Sequence, residues 1–356
     1  MNTKKLSILG GILAILIAII VISDNLPSTR ANSSKASFFP GLKITDCSKI
    51  SITSNAKEVI TLSKDNGIWT VSNGTDDQNS NATPSGTPFS KTTQSKNSNI
   101  KYEADSAAVA IVLEKLTSMK KNVIISNNKT KQGTFQVDST KGTFVTIFNN
   151  DGEKISTFVI GKSGVTWDEN YVRIASSNDV YSLPGSLKYT FHTELKRWRN
   201  KAIVKLGDDN LKMVTITSKE KGKVVLQQSQ NSVEVAQWEI TEPEKSEVNA
   251  EEVAKLIKNI LTLKTYDWSK DNSLSDSAMG YLDPIITVNL ITKSGKTETL
   301  TVGKSDEKSA KVYLKTLSSK QNYIVWDSDI QKLNKSFDEL KKIEVKNDTT
   351  TTPSEK

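Results

Sequence analysis

The feature that most constrains this chain is that it carries the same pattern twice. Helix-spaced residues Val109, Val112, Leu113, Leu116 and Met119 recur as Val253, Leu256, Ile257, Ile260 and Leu263, at a constant offset of 144. The run Phe158, Ile160, Gly161, Lys162, Ser163 recurs as Leu300, Val302, Gly303, Lys304, Ser305 at an offset of 142. Ile50 and Ile52 match Val214 and Ile216 at 164, and Trp69 matches Trp238 at 169. Offsets are constant within an element and change only between elements, so insertions fall in loops. The chain therefore reads as two tandem modules. Each short motif also has an internal control, because a residue kept in both copies is expected to serve the fold.

The N-terminus supplies an address. Lys4-Lys5 precede an uncharged stretch, Leu6 to Ile22, which is followed by Asp24. That length lies at the short end for crossing a bilayer. An uncleaved anchor is the preferred reading. A cleaved signal peptide is the alternative, with Val21-Ile22-Ser23 as a poor cleavage site. Cys47 lies too far downstream to be a lipoprotein anchor. Residues 1–23 are thus expected to be a cytoplasmic stub and single-pass transmembrane helix, with the C-terminal body outside the cell membrane. A lone cysteine leaves no intrachain disulfide, so stability must come from packing. The net charge of +8 comes mostly from dispersed lysine. It suits anionic lipid or an anionic wall polymer, although a solvated lysine-rich surface explains it as well. Nucleic acid is not expected for an exported chain without a basic, aromatic-interleaved motif.

Residues 24–42 read as a linker ending in Phe38-Phe39-Pro40-Gly41. The first module spans 43–201. It contains a Ser-, Asn- and Thr-rich insertion at 74–100 that is expected to be disordered. The second module spans 202–342, and 343–356 is a polar tail expected to be disordered. Strands are expected at Ile50–Ile52, Val59–Thr61 and Ile68–Thr70, with Asp65-Asn66-Gly67 as a turn. A helix capped by Asp105 follows, and its copy opens at Asn249 with Glu252 as a capping-box partner. Four further strands come next in each module. Helix-like stretches, Leu187–Trp198 and Ile330–Leu340, close the two modules. The fold class is α+β: two tandem repeated modules, each an antiparallel sheet with a packed helix, after an N-terminal transmembrane helix.

Several of these residues carry a resemblance. They are Phe39-Pro40-Gly41-Leu42 after the apolar stretch, Gly280-Tyr281-Leu282-Asp283-Pro284 with a looser copy at Phe135-Gln136-Val137-Asp138, Ile160-Gly161-Lys162, Tyr171-Val172-Arg173, Val180-Tyr181, and the close Leu195-x-x-Trp198-Arg199-Asn200-Lys201. The chain resembles the bacterial domain-of-unknown-function family 4340 over nearly all of residues 43–342. The second module departs from it, ending in Leu340-Lys341-Lys342. The resemblance implies a single-pass envelope protein found beside permeases and auxiliary subunits of ABC-type export or gliding-motility-like systems. It carries over no catalytic residue.

Motifs that look chemical have plainer readings. Gly161-Lys162-Ser163 and Gly303-Lys304-Ser305 imitate the end of a phosphate loop. The glycine needed five positions earlier is Ser156 or Glu298 instead, so a strand ending in a left-handed glycine is expected. His192 is the only histidine and has no counterpart in the second module, so a catalytic triad or zinc site is not expected. Asp168-Glu169 are adjacent and so point opposite ways on an extended chain. Asp76–Asn81 lacks the glycine and glutamate of a calcium loop. Trp69 and Trp238 recur and so read as packing. Trp167, Trp268 and Trp326 have no aligned copy and are the candidate binding surface, for glycan or peptide.

No catalytic residue, cofactor or metal is expected. The leading function is a non-enzymatic, membrane-anchored extracytoplasmic protein. It would be an accessory or scaffold component of an ABC-type transporter or envelope complex, with an ABC-type permease or auxiliary subunit as partner. The alternative is a protein that binds cell-wall glycan or anionic wall polymer, and a hydrolase using acidic residues is a distant third.

Overall fold

A computed structural model describes residues 36–54, 58–74, 100–206, 211–229, 237–269, 274–306 and 309–342. The expected anchor, residues 24–35 of the linker, the Asp76–Asn81 run with most of the insertion, and the tail all lie outside the described residues. Among those described, no helix is long and apolar enough to cross a membrane. The chain divides into two units after Arg197, four residues ahead of the expected boundary.

In the first unit the strands are β1 (Lys49–Ser54), β2 (Glu58–Asp65), β3 (Ile68–Asn73), β4 (Tyr102–Glu103), β5 (Ile124–Ser126), β6 (Thr143–Phe148), β7 (Lys154–Ser163), β8 (Glu169–Ile174) and β9 (Val180–Pro184). They form one antiparallel sheet in the order β4-β3-β2-β1-β6-β7-β8-β9-β5. The second unit contains β10 (Leu211–Ser218), β11 (Gly222–Gln228), β12 (Trp238–Glu242), β13 (Ser246–Glu247), β14 (Asp267–Trp268), β15 (Ile286–Thr292), β16 (Thr297–Asp306), β17 (Lys311–Thr316) and β18 (Tyr323–Trp326). Its strand order is the same with every label raised by nine. Register repeats as well. Ile50 pairs with Leu62 and Ile147, and Val214 pairs with Leu226 and Leu290.

The local causes are those of ordinary strand and helix chemistry. Asn66 and Gly67 both take left-handed φ (50° and 84°), which joins β2 to β3 through a two-residue turn. In β6, Thr143, Val145 and Ile147 are buried in strict alternation with half-buried neighbours, the period of a one-faced sheet. Helix α1 (Ser106–Ser118) starts at Asp105, whose carboxylate accepts from the Ala107 and Ala108 amides at 3.0 and 3.2 Å. It leads from β4 at one edge of the sheet to β5 at the other. Its copy is α2 (Ala250–Leu261), capped by Asn249 through the Glu252 amide at 3.3 Å. The predicted stripes are buried in both helices. In the second unit Val253, Leu256, Ile257 and Ile260 share one core with Val214, Ile216, Val288, Leu290, Leu300 and Val302.

Four expectations change. The Glu252 side chain does not close a capping box; it pairs with Lys255 and Lys335 at 3.1 and 3.2 Å. The closing stretches are not single helices. Each breaks into two short turns, Leu187–Thr190 and Leu195–Trp198 where the first module closes, Asp327–Gln331 and Phe337–Leu340 where the second does. The true capping box lies here, between Ser336 and Glu339.

The third change concerns the end of the linker, which belongs to the first module. Phe38 N donates to Met119 O and Lys121 N to Ala36 O, and Ser37 bridges Lys120. Phe38 is buried against Phe39, Phe158 and Tyr181. The second unit repeats the arrangement, with Ile203 N on Leu263 O, Thr265 N on Lys201 O, and Ala202 bridging Lys264. Large apolar side chains at 38 and 39 and at 203 and 204 make these entry segments part of the core.

The fourth change is a second core on the outer face of the first sheet. Val137, Val159 and Val180 are buried there, packed with Phe135, Phe144 and Tyr171. The segment before β6 straps this face.

Candidate functional site

The phosphate-loop lookalikes are explained by these straps. Gly161 and Gly303 lie inside β7 and β16, and neither has positive φ, contrary to the expected strand-ending turn. A Cβ at Gly161 would overlap the Phe135 carbonyl oxygen, and one at Gly303 the Met279 carbonyl oxygen. The Met279 oxygen accepts from Lys304 N at 2.9 Å. At the crossing, Gln136 and Gly280 hold the same left-handed conformation (φ 57° and 80°). Glycine in the strand thus serves close backbone approach.

A cation fastens each strap. Buried Arg173 on β8 donates from Nε and Nη2 to Val137 O at 3.2 and 3.0 Å, and from Nη1 to the Ile174, Ala175 and Ser177 carbonyls. Burial lowers its pKa, partly offset by Asp138. Lys315, 142 residues on, pairs with Asp276 at 2.5 Å and lies 4.7 Å from the Tyr281 ring. Tyr281 is itself buried, and burial, followed by Asp276 and Tyr313, raises its phenol pKa.

The three candidate tryptophans do not form one surface. Trp167 is 85% exposed in the turn between β7 and β8, beside the exposed Val165. Trp268, on edge strand β14, is only 7% exposed and lies under the Arg199 guanidinium, 3.5 Å from its ring. It presents no open face to a ligand. Register also gives it a structural counterpart that sequence alignment missed. Trp268 pairs with Tyr323 as Ile124 pairs with Tyr181.

Trp326 is the tryptophan with a site around it. Its ring meets Tyr266 edge to face at 4.8 Å, and both are 40% exposed. Lys311 Nζ sits 4.3 Å from the Tyr266 ring and 4.8 Å from the Trp326 ring. Beside them is a cleft of about 240 Å³, lined by Tyr266, Lys311, Val312, Tyr313 and Ile324 with Asp267 and Ser309. An aromatic pair flanked by a cation and a carboxylate suits stacking against a sugar ring or a planar amide. Tyr266 and Lys311 were not singled out in the sequence; only tertiary structure brings 266, 311 and 326 together.

His192 lies between the two closing turns of the first unit, not within a helix. It lines a polar cleft of about 450 Å³ with Ser54, Gln136, Lys141, Thr143, Lys188 and Glu194. Burial lowers the Lys188 pKa. The groups here are those of an open polar hollow of mixed charge. Asp168 and Glu169 do not converge on a common point: Glu169 opens β8 and accepts from Ser182 Oγ at 3.2 Å. Cys47 is buried, and that burial pushes its thiol pKa up to about 11, outweighing the Lys49 carbonyl and Lys64. Among the described residues, no group of three His, Cys, Asp or Glu side chains is placed to hold a metal ion.

The family model of the Domain of unknown function (DUF4340) matches residues 95–278 and again 238–347. The two matches overlap between 238 and 278 and together cover residues 95–347 of the 356-residue chain. No curated protein and no solved structure matches this chain.

Proposed function

This chain belongs to the DUF4340 family, and from that membership we propose that it is a non-catalytic scaffold whose duplicated modules hold a partner at the cell envelope. Leu6–Ile22, flanked by Lys4-Lys5, anchors the chain in the membrane and leaves the body extracytoplasmic. The partner class is an ABC-type permease or its auxiliary subunit. One observation carries the reading. What the two units share is packing: the helix stripes, the paired β-registers and the glycines under the straps. Their exposed surfaces differ, and recognition of a partner resides there. An anchor raises the effective concentration of the body near other membrane proteins, so a weak interface suffices. The test is cross-linking from exposed positions of either unit in intact cells, with identification of what is caught. Recovery of a permease or auxiliary subunit supports the reading. Recovery of glycan strands alone overturns it.

A second reading rests on the half-exposed Tyr266–Trp326 pair beside Lys311, which suits a wall glycan or anionic wall polymer. Pull-down by purified wall that is lost on Trp326→Ala, with the melting temperature unchanged, distinguishes it from the first.

A further inference from the structure

The outermost strand of the first sheet presents an apolar run to solvent. Natural edges are shortened, charged or covered, because unpaired backbone groups beside apolar side chains recruit other strands. β5 is short, but Val123, Ile124 and Ile125 form a continuous β-branched run with 71%, 49% and 45% of their surface exposed. β5 pairs with β9 on one side and, among the described residues, has no strand on the other.

The second unit acts as the control. There the equivalent edge strand, β14, carries Trp268, which is buried beneath Arg199, and the buried Thr265 just ahead of it. The fold therefore does not require an apolar edge to be open at this place. The first unit keeps one.

Charge around this edge is predominantly basic, with Glu114 and Asp138 just outside the lysine-bearing stretch. Between residues 115 and 137 the chain has five lysines, Lys115, Lys120, Lys121, Lys129 and Lys131, and no acidic residue. Lys120, Lys129 and Lys131 are exposed. The adjoining end of β9 contributes one carboxylate, Asp179. A second copy of this edge would bring lysine against lysine.

We propose that the β5 edge is a strand-addition site for an extended, β-branched segment of a partner protein bearing acidic residues on both flanks. Main-chain hydrogen bonds to the open edge hold the segment, Val123–Ile125 pack its alternate side chains, and the lysines read its flanks. The inference rests on the scaffold reading above and names the chemistry of the partner segment. It does not depend on which membrane protein carries that segment.

The probe is a fluorescent peptide, Glu-Glu-Thr-Val-Thr-Val-Thr-Glu-Glu, titrated against the full-length chain in detergent. Expected is saturable binding that weakens at least about tenfold when alternate backbone amides are N-methylated, or when the glutamates become lysines. Ile125→Lys in the chain should abolish binding without moving the melting temperature, because Ile125 is exposed. Three results each overturn the proposal. One is absence of binding. Another is equal binding of the N-methylated peptide, which marks mere hydrophobic adhesion. The last is a concentration-dependent dimer dissolved by Ile125→Lys, which assigns the edge to a second copy. Cross-linking that recovers no permease, with these peptide results intact, would remove the scaffold reading's partner class and leave the strand-addition site standing.

Discussion

The carbonyl oxygen of Met279 lies over Gly303, occupying the space a Cβ would need and accepting the Lys304 amide at 2.9 Å. The Phe135 carbonyl oxygen occupies the Cβ space of Gly161 in the same way. These crossings pin a strap to the outer face of each sheet, and they make the first prediction. Gly303→Ala and Gly161→Ala should each cost more than about 2 kcal/mol, because the overlap is with backbone that cannot swing aside. Chemical denaturation of the single variants measures it. A neutral result for either would show that its strap lifts freely.

The helix stripes should be equivalent. Leu116 and Ile260 are fully buried at matched positions, so Leu116→Ala and Ile260→Ala should each lose about 2–5 kcal/mol. Two transitions, each displaced by only one of the variants, are the expected calorimetric signature of two separate cores.

The insertion should be dispensable to the fold. β3 and β4 are separated by the 28 residues 74–101, whereas β12 and β13 are joined by the three residues 243–245. Gly74 is tied back by its amide to Val59 O at 2.9 Å and should be kept. Deletion of 75–99 shortens the connection from 28 residues to three, which lowers the closure cost by about 2 kcal/mol, so the melting temperature should not fall by more than a few degrees. A larger fall would mean that the segment packs on the sheet.

Glu339 should shape the acid limb of stability. Burial acts to raise its pKa, but Lys221 at 2.8 Å and the Ser336 amide and hydroxyl outweigh it and hold it at about 2, against 4.5 ordinarily. A carboxyl depressed in the folded state contributes stability fully above its unfolded pKa and loses it as pH falls through the folded one. Glu339→Gln should therefore cost about 1 kcal/mol at pH 7, discounted for its partial exposure. The gap to wild type should close between about pH 4.5 and pH 2. Urea midpoints across that range test it; a constant gap would contradict the assignment.

Cys47 should be inert in the native chain. With the thiol pKa at about 11, the thiolate fraction at pH 8 is on the order of 0.001, and the sulfur is buried besides. Maleimide labelling should run at least about a hundredfold slower than in urea. Comparable rates would mean that the N-terminal edge of the first unit opens readily.

Much of this architecture was legible from residue spacing. Local chemistry placed the strand at Thr143–Phe148, the strand at Tyr323–Trp326, the Asn66-Gly67 turn and both helix caps, because period, φ preference and capping act within a few residues. The closing stretches misled. Leu187, Phe191 and Trp198 keep helical spacing and are all buried, yet the expected 12-residue helix is replaced there by two short turns. Apolar spacing records which side faces the core, not whether the backbone is continuous. The outer core had a signal that went unread: Phe158-Val159-Ile160 does not alternate, as a strand covered on both faces need not.

Residue order alone is enough to show two modules, the place of each long helix and most strands, and the family they belong to. Those properties are written in constant offsets and short-range periodicity. Which exposed groups stand together follows from the packed fold. Strand pairing across long separations set Trp326 beside Tyr266 and Lys311, sank Trp268 under Arg199, and left Val123–Ile125 exposed at the outermost described strand. Such placements depend on which strand ends a sheet and which chain crosses it, and the free energy that selects them comes from contacts between residues far apart in sequence.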